Sequence, residues 1–360
     1  MFRLLFLASC LQSVVSLNQL QALISQGTSI SIDSGSISTI REVTTRYPNT
    51  ISDATTNPLF VAQIVSKLDS SSDPDSALCT SLFKTACKEK STELAIDKLS
   101  VLLGIEISKI VPGFISTEVD PRLSFSVAKQ VERARHIISL YEASNIAKSR
   151  VLIKLAATWE GIQAATILKE DYEIQCNLTL IFGMTQAVAC GQRNLKLISP
   201  FPGRVLDYHN DINDREFVAS IDDDEGVQLV KGINKAFAEM SSSTINMPAS
   251  WRPSRGARDD GFYDKDEILG LSGATKMTIP SNFLERLGDS EKKIKYSIHE
   301  GIFTPNPHPT FSPKLLTEEE FRLHFNYDAC ATSKFSEGLT AFCKLTDELE
   351  NAIEQEQARS

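Results

Sequence analysis

The sequence predicts a single α/β domain, a (β/α)8 barrel of the TIM type with extra helices at its C-terminal end. Three observations support this prediction: eight short β-rich runs, helix-period segments between them, and a nearly continuous apolar character in several of the runs. Alternating strands and helices are typical of parallel βαβ units, and apolar runs are typical of strands buried on both faces. Eight such units favour a closed barrel over a doubly wound open sheet, which is the structural alternative.

The predicted strands are short and interleaved with helical segments. They cover Ser29–Asp33, Thr50–Ala54, Phe114–Glu118, Val151–Lys154, Cys176–Phe182, Leu197–Phe201, Thr244–Met247 and Lys276–Ile279. Helix-period segments lie at 127–145, 161–170 and 226–240. A capping signal at Thr317 predicts a further helix, and another is predicted over 333–354; both are expected to pack across the barrel. The stretch 253–266, rich in Arg, Asp and Gly, is expected to form a surface loop.

Composition and charge exclude several classes of protein. The chain has 360 residues, of which 42% are hydrophobic and 23% charged, so it can bury a sizeable core. Its net charge of −9 argues against a nucleic-acid partner, since nucleic-acid binders concentrate Lys and Arg. Seven cysteines without a C-x-x-C pair predict neither a disulfide framework nor a zinc site and favour a reducing compartment. The five histidines show no metal-ligand spacing, so no metal is expected.

The N-terminal residues differ from the rest of the chain. Residues 4–15 form a mostly apolar run after a single Arg, which is too short to span a bilayer and resembles the core of a signal peptide. A transit peptide and an ordinary N-terminal helix are the alternatives. We expect residues 1–17 to be a targeting extension and residues 18–360 to be the barrel, beginning with a helix over 18–25. No other segment is apolar enough to cross a membrane.

Polar residues stand where the predicted strands end. Because the loops and strand tips at the C-terminal face of a barrel converge, that face normally carries the chemistry. The residues at such positions are Asp33, Asn57, Glu118, Lys154, Asn177, Thr179, Ser199, Arg204, Ser250 and Arg252. So many polar groups at corresponding places predict one shared site.

Lys154 lies in an otherwise apolar strand. Burial disfavours its charged form, and a neutral amine can attack a ketone to form a Schiff base. The protonated imine would then act as an electron sink for cleavage of the adjacent carbon–carbon bond. The alternative is a structural lysine that pairs with Asp33 or Glu118. Those two carboxylates also fit the chemistry, since imine formation and bond cleavage both need proton transfer.

Two arginines follow late strands, Arg204 after the sixth and Arg252 after the seventh. Guanidinium groups bind phosphate in a bidentate way, and a phosphate site near the last strands is common in barrels. Ordinary surface pairing of the arginines is the alternative.

Five segments carry a family resemblance. They are Asp53-Ala-Thr-Thr-Asn-Pro58, Ile115-Ser-Thr-Glu-Val-Asp120, Ile153-Lys-Leu-Ala-Ala-Thr-Trp-Glu-Gly161, Cys176-Asn-Leu-Thr-Leu180 and Ile198-Ser-Pro-Phe-Pro-Gly-Arg204. In this order and spacing they resemble transaldolase of the long-chain subfamily, from about Asn18 to the C-terminal helix. The resemblance implies transfer of a dihydroxyacetone unit from sedoheptulose 7-phosphate to glyceraldehyde 3-phosphate, in the non-oxidative pentose phosphate pathway, without a cofactor or metal.

The resemblance also implies a role for each site residue. Lys154 looks like the Schiff-base lysine, Glu118 the acid/base that handles the catalytic water with help from Thr179, and Asp33 the group that takes the proton during cleavage. The remaining positions look like the substrate-binding groups, namely Asn57, Thr55, Ser116, Asn177, Ser199 and Phe201 near the dihydroxyacetone unit, and Arg204, Ser250 and Arg252 at the phosphate. Sugar phosphates are the implied ligands, and family members are often dimers, so a homodimer is possible.

Four further points refine this prediction. Phe201 stands where the related fructose 6-phosphate aldolases carry Tyr, which favours transferase over the alternative, a lyase. A non-catalytic relative would be expected to lack Lys154, Glu118 or Asp33, and all three are present. The loop after Arg252 is longer than usual, which leaves its phosphate contacts open.

The Asn177-Leu-Thr179 sequon lies on the predicted site strand, which disfavours secretion and favours the cytoplasm, with organelle or plastid import as the alternative.

Overall fold

The computed structural model of the protein describes residues 17–258, 261–299 and 314–359, and within them eight parallel strands form one sheet. The strands are β1 (Ser29–Asp33), β2 (Ile51–Thr55), β3 (Ile115–Glu118), β4 (Val151–Ala156), β5 (Cys176–Ile181), β6 (Leu197–Pro200), β7 (Ile245–Asn246) and β8 (Lys276–Pro280). Their spatial order is β7-β6-β5-β4-β3-β2-β1-β8. All eight predicted strands are therefore confirmed, with ends shifted by up to two residues. The predicted targeting extension lies outside the described residues except for Leu17.

The sheet closes into a barrel between β8 and the chain that follows β7. Thr278 N donates to Pro248 O at 3.0 Å, and Ala249 N donates to Pro200 O at 2.9 Å, so the extended chain after β7 bridges β6 and β8. The Trp251 indole strengthens this junction by donating to Thr278 O at 2.7 Å. The predicted barrel is confirmed, and the open-sheet alternative is wrong.

Helices follow the strands and cover the outside of the barrel. They are α1 (Gln19–Ser25), α2 (Ile37–Arg46), α3 (Pro58–Ser66), α4 (Ser76–Ala86), α5 (Thr92–Ser108), α6 (Val127–Glu142), α7 (Trp159–Tyr172), α8 (Met184–Gln192), α9 (Pro202–Ile212), α10 (Glu225–Glu239), α11 (Asp266–Gly270), α12 (Ser281–Gly288), α13 (Glu318–Tyr327) and α14 (Ala329–Gln357). Many begin at a capping side chain, such as Ser126 before α6 and Asp224 before α10, because such residues satisfy free backbone N–H groups. The predicted helices at 18–25, 127–145, 161–170 and 226–240 are confirmed.

The barrel interior changes in character along its axis. β4 and β5 are buried along their whole length. At the N-terminal ends of the strands, Lys276 forms a buried ion pair with Asp53, and the apolar side chains of Leu152, Leu197 and Met247 cluster nearby. Because removal of one partner from a buried ion pair typically costs about 3–5 kcal/mol, this end of the barrel is built for stability.

The two C-terminal helices pack across the barrel, as predicted. The 29-residue α14 is about 43 Å long, and it contacts α3, α5, α9 and β5. Arg122, in the loop after β3, donates to Asp347 of α14 at 3.0 Å and also pairs with Glu350. The longest helix is thus fixed to the loops at the C-terminal face of the barrel.

The segment 253–266 is not simply a surface loop, so that prediction is partly wrong. Ser254 and Asp266 are completely buried. Arg255 lies 2.5 Å from Asp266, and Ser254 donates to Asp224 at 2.6 Å. A polar sequence can be buried here because its charges find partners inside the protein.

In the part of the chain that the structure describes, every helix is too short or too polar to cross a bilayer.

Candidate active site

Strand register brings the predicted catalytic residues together. Glu118 of β3 pairs with Lys154 of β4, and Lys154 pairs with Asn177 of β5. On the neighbouring strands Asp33 pairs with Thr55, and Thr55 with Ser116. Since paired residues on adjacent strands project from the same face of a sheet, these side chains share the barrel interior near the C-terminal ends of the strands.

Lys154 is 5% exposed and lies at the centre of this group. Its Nζ is 3.3 Å from Glu118 Oε2 and donates to Thr56 O at 3.3 Å. Of the two partners considered from sequence, Glu118 is the one in contact. A lysine held against a buried carboxylate can pass its proton to that carboxylate and become a nucleophile.

Burial raises the pKa of Glu118, while the adjacent Lys154 ammonium partly opposes this shift. Apart from that ammonium, the Glu118 carboxylate has no partner among the described residues, and neither has the buried Thr179 hydroxyl. Unsatisfied buried polar atoms are costly. A water or a substrate oxygen could satisfy both, and an acid/base that handles water requires that arrangement.

Asp33 enters the same interior from β1. Burial raises the pKa of its carboxyl, and Lys154 and a bond from Thr55 partly oppose the shift. That bond runs from Thr55 Oγ1 to Asp33 Oδ1 at 3.2 Å. Thr55 therefore orients one oxygen of the Asp33 carboxylate and leaves the other for a ligand.

Amide and hydroxyl groups continue the polar surface. Ser199 Oγ donates to Asn177 Oδ1 at 2.8 Å, and Asn177 Nδ2 donates to Ser116 Oγ at 3.2 Å. Asn57 caps α3 by accepting from Phe60 N at 3.2 Å, which leaves its amide N–H groups available to a hydroxyl. Ser116, Asn177 and Ser199 therefore form a connected network across three strands, and Asn57 lies outside it.

Sequence reasoning missed Gln186, which supports the end of β5. Leu180 has a left-handed φ of 57°, rare for a bulky side chain, and the β5–β6 register shifts at this point. The fully buried Gln186 donates to Leu180 O at 2.9 Å and accepts from Phe182 N at 3.0 Å. Such strain persists only when surrounding bonds hold it, so Gln186 fixes the strand just after Thr179.

The two predicted phosphate-binding arginines meet beside Gly203. A Cβ on Gly203 would lie 2.7 Å from Arg252 Cγ, and Gly203 N donates to Ser250 O at 3.0 Å. Gly203 directly precedes Arg204 in α9, so the close approach of two chains brings Arg204, Ser250 and Arg252 to one place. Both arginines are already paired with carboxylates: Arg204 with Glu337 at 3.1 Å and Arg252 with Asp207 at 2.9 Å.

Arg252 is also held through its backbone. Glu267, completely buried, accepts from Arg252 N at 2.6 Å. Burial and the nearby Asp224 raise the pKa of Glu267 well above its ordinary value, against the bond from Arg252. The buried Glu267 side chain therefore holds the Arg252 backbone in place by accepting from its N–H. This role could not be predicted from the sequence, because Glu267 directly follows the segment that was expected to form a surface loop.

The predicted site thus has two ends. We call the group of Lys154, Glu118 and Asp33 the catalytic end and the pair Arg204 and Arg252 the phosphate end, after the roles predicted for them. The catalytic end can form and hydrolyse an imine, because an amine and two carboxylates with raised pKa values share one buried space. The phosphate end presents two guanidinium groups at the surface, where an anion can reach them.

Comparison with known proteins agrees with this chemistry. The family described as Transaldolase/Fructose-6-phosphate aldolase has a sequence model that matches residues 30–353. The transaldolase of Methylobacillus flagellatus is 39% identical over 326 residues, which cover 91% of this chain and 95% of the relative. That of Cellvibrio japonicus is 40% identical over 309 residues, covering 84% and 89%. That of Buchnera aphidicola subsp. Baizongia pistaciae is 38% identical over 339 residues, covering 94% and 99%. The chain belongs to the transaldolase/fructose-6-phosphate aldolase family.

Proposed function

We propose that the protein is a transaldolase that moves a dihydroxyacetone unit from sedoheptulose 7-phosphate to glyceraldehyde 3-phosphate. The products are erythrose 4-phosphate and fructose 6-phosphate. The observation that carries the proposal is the position of Lys154, buried at the C-terminal ends of the strands and 3.3 Å from Glu118. Family membership supports the same reaction.

The first step is formation of the Schiff base on Lys154. Glu118 takes a proton from the ammonium, and the free amine adds to the ketone carbon of the donor sugar. The carbinolamine then loses its hydroxyl as water, for which Glu118 returns a proton. The contact between Glu118 and Lys154, and the unpartnered hydroxyl of Thr179 as a second group for the water, support this assignment.

The second step is cleavage of the bond between C3 and C4 of the donor. Asp33 takes the proton of the C4 hydroxyl, the bonding electrons move to the iminium nitrogen, and the aldehyde leaves. The enamine that remains adds to the incoming aldehyde, and Asp33 returns the proton. Hydrolysis of the new imine, by the reverse of the first step, releases the ketose product. The bond from Thr55 that orients Asp33 supports this role.

Substrate binding is divided between the two ends of the site. Asn57, Ser116, Asn177 and Ser199 bind the hydroxyls of the dihydroxyacetone unit. Hydrogen bonds among the last three preorganise them, and the bond from Phe60 N orients Asn57. Arg204, Ser250 and Arg252 bind the phosphate.

Phe201 favours transfer over release. Its ring meets Phe182 edge-on with centroids 5.6 Å apart, so this part of the site carries aromatic carbon. A phenol at this position could protonate the enamine and release dihydroxyacetone. Without one, the enamine lasts until an aldehyde acceptor arrives.

Borohydride trapping tests the proposal. The protein is incubated with fructose 6-phosphate, reduced and mapped by peptide mass. We expect a stable adduct on the peptide that carries Lys154, and none in Lys154→Arg. The buried Lys276 at the opposite end of the barrel is an internal control, because it is paired with Asp53 and should stay unmodified. An intact, folded protein without an adduct would exclude the Schiff-base mechanism and favour a non-catalytic sugar-phosphate-binding protein.

The organisation of the whole chain is also a proposal. We infer that residues 1–17 are a targeting extension that precedes a barrel of residues 18–360. The barrel works in the cytoplasm or in an organelle that imports it, and it forms a homodimer, as family members often do. The intact mass of the protein isolated from its source tests the first point, since a retained N-terminus would contradict a cleaved targeting extension. Light scattering tests the second, since the mass of a monomer would contradict the homodimer.

A further inference from the structure

The C-terminal helix α14 reaches the phosphate end of the site. A Cβ on Gly338 would lie 2.9 Å from Arg204 Nη1, so the helix backbone passes directly beside this guanidinium. The ring of Phe182 covers the other side, with Arg204 Cζ 5.3 Å from its centroid. Arg204 is therefore confined by an aromatic ring and a helix that begins more than a hundred residues later in the chain.

One residue of α14 binds this confined arginine. Glu337 Oε2 lies 3.1 Å from Arg204 Nη2 and also 3.1 Å from Lys334 Nζ, so a single carboxylate oxygen bridges two cations. The Lys334 side chain is 10% exposed, whereas that of Glu337 is 50% exposed. In this ion pair the Lys334 side chain is therefore held in place by burial, and the exposed Glu337 carboxylate is free to move.

Arg252 provides an instructive contrast. Its carboxylate partner, Asp207, binds both Nε and Nη2, and no second cation contacts Asp207 among the described residues. A phosphate could not displace Asp207 without leaving that carboxylate unpaired. Glu337, in contrast, can leave Arg204 and keep its bond to Lys334.

We propose that Glu337 is a built-in counter-ion of Arg204 that the substrate phosphate displaces, and that Lys334 holds the displaced carboxylate. This inference rests on the proposed function, since it assigns Arg204 to phosphate. A carboxylate and a phosphate both bind the N–H groups of a guanidinium, and the two anions repel each other at contact distance. The pair Lys334–Glu337 therefore sets how strongly the site prefers phosphorylated ligands.

The test compares Glu337→Gln with Glu348→Gln, which removes the same charge from an exposed position about 16 Å further along α14. The dissociation constant of inorganic phosphate, from calorimetry, and the KM of fructose 6-phosphate should fall roughly three- to tenfold in Glu337→Gln, as expected for loss of a competing ion near the surface. Neither should change in Glu348→Gln, and kcat should stay within about twofold in both. Unphosphorylated fructose, used as donor, should show no change in kcat/KM.

A double-mutant cycle then assigns the role of Lys334. Lys334→Met alone should weaken phosphate binding, because Glu337 is left with Arg204 as its only cationic partner among the described residues. In the Glu337→Gln background the same change should have little effect, since Lys334 acts through Glu337. An additive loss in the double variant would instead make Lys334 a direct phosphate ligand and overturn its assigned role.

Weaker phosphate binding in Glu337→Gln would overturn the proposal, because it would make Glu337 an orienting partner of Arg204. The calorimetric measurement does not depend on catalysis. If Glu337→Gln binds phosphate more tightly but the protein is inactive, only the transaldolase reaction is contradicted. If the enzyme is active and phosphate binding is unchanged in Glu337→Gln, only the counter-ion role of Glu337 is contradicted.

Discussion

The catalytic end and the phosphate end of the site are built in different ways. Lys154, Glu118 and Asp33 are strand residues whose positions are set by pairing with neighbouring strands, and their side chains lie inside the barrel. Arg204 and Arg252 belong to a helix and a loop, keep 22% and 39% of their side chains exposed, and are paired with carboxylates. Backbone hydrogen bonds therefore position the first group, and side-chain contacts between distant segments position the second.

This difference predicts separate functional consequences. Changes at the catalytic end should act on kcat, because in the proposed mechanism those groups contact the reacting atoms. Changes at the phosphate end should act on KM, because phosphate binding is the same in the ground state and the transition state.

The largest effect is expected for Asp33→Asn. Loss of the group that takes the C4 hydroxyl proton should lower kcat about 10²–10⁴-fold with little change in KM. Borohydride should still trap the adduct on Lys154, since imine formation does not need Asp33. Steady-state kinetics and trapping on the same preparation give both answers. If kcat fell by less than about tenfold, Asp33 would not be the group that takes the proton.

The pH dependence of kcat/KM gives the next effect. Burial raises the pKa of Asp33, against Lys154 and Thr55, so the inactive protonated form persists above the ordinary value of 3.8. As pH falls below this raised pKa, kcat/KM should drop about tenfold per unit. Burial also raises the pKa of Glu118, so the acid side of the pH profile of kcat/KM should show two descending limbs, one for each carboxyl group. Asp33→Asn should lose one limb, and Arg252→Lys, as the phosphate-end control, should keep both. Loss of a limb in Arg252→Lys would break the separation of the two ends.

The smallest effect is expected for substitutions of Glu267. Glu267→Ala leaves Arg252 N without its buried acceptor, which typically costs about 1–3 kcal/mol. We expect KM to rise roughly fivefold. The free energy of unfolding should fall by about 1–3 kcal/mol, the cost of the lost acceptor. Glu267→Gln keeps a side-chain oxygen that can accept from Arg252 N, so both quantities should stay near those of the parent protein. Kinetics and urea unfolding measure them. A large loss in Glu267→Gln would mean that an uncharged acceptor oxygen is not enough to hold Arg252.

The catalytic end was accessible from the sequence because strands impose local rules. An apolar run interrupted by one lysine marked β4, and the C-terminal ends of parallel strands must meet at one face of a barrel. The sequence left open which carboxylate contacts Lys154, because Asp33 and Glu118 both end strands whose tips face the barrel interior. Only the register, which pairs Glu118 with Lys154, decides that question.

The phosphate end was less accessible. The sequence predicted Arg204 and Arg252 from their positions after strands, and the structure brings them together beside Gly203. It did not predict Glu337, Lys334 or Glu267. These residues come from α14 and α11, and no local pattern marks which residue of an exposed helix face will meet an arginine far away in the chain.

By itself the sequence determined the order of the strands, the C-terminal face that carries the chemistry, and the identity of Lys154, because these depend on periodicity and on the geometry of parallel strands. The tertiary structure alone decided how the barrel closes through Pro248 and Thr278, how Gln186 supports the strained Leu180, and how α14 supplies the counter-ion of Arg204. Those features depend on contacts between segments far apart in the chain, and a contact of that kind is fixed only when the whole core packs.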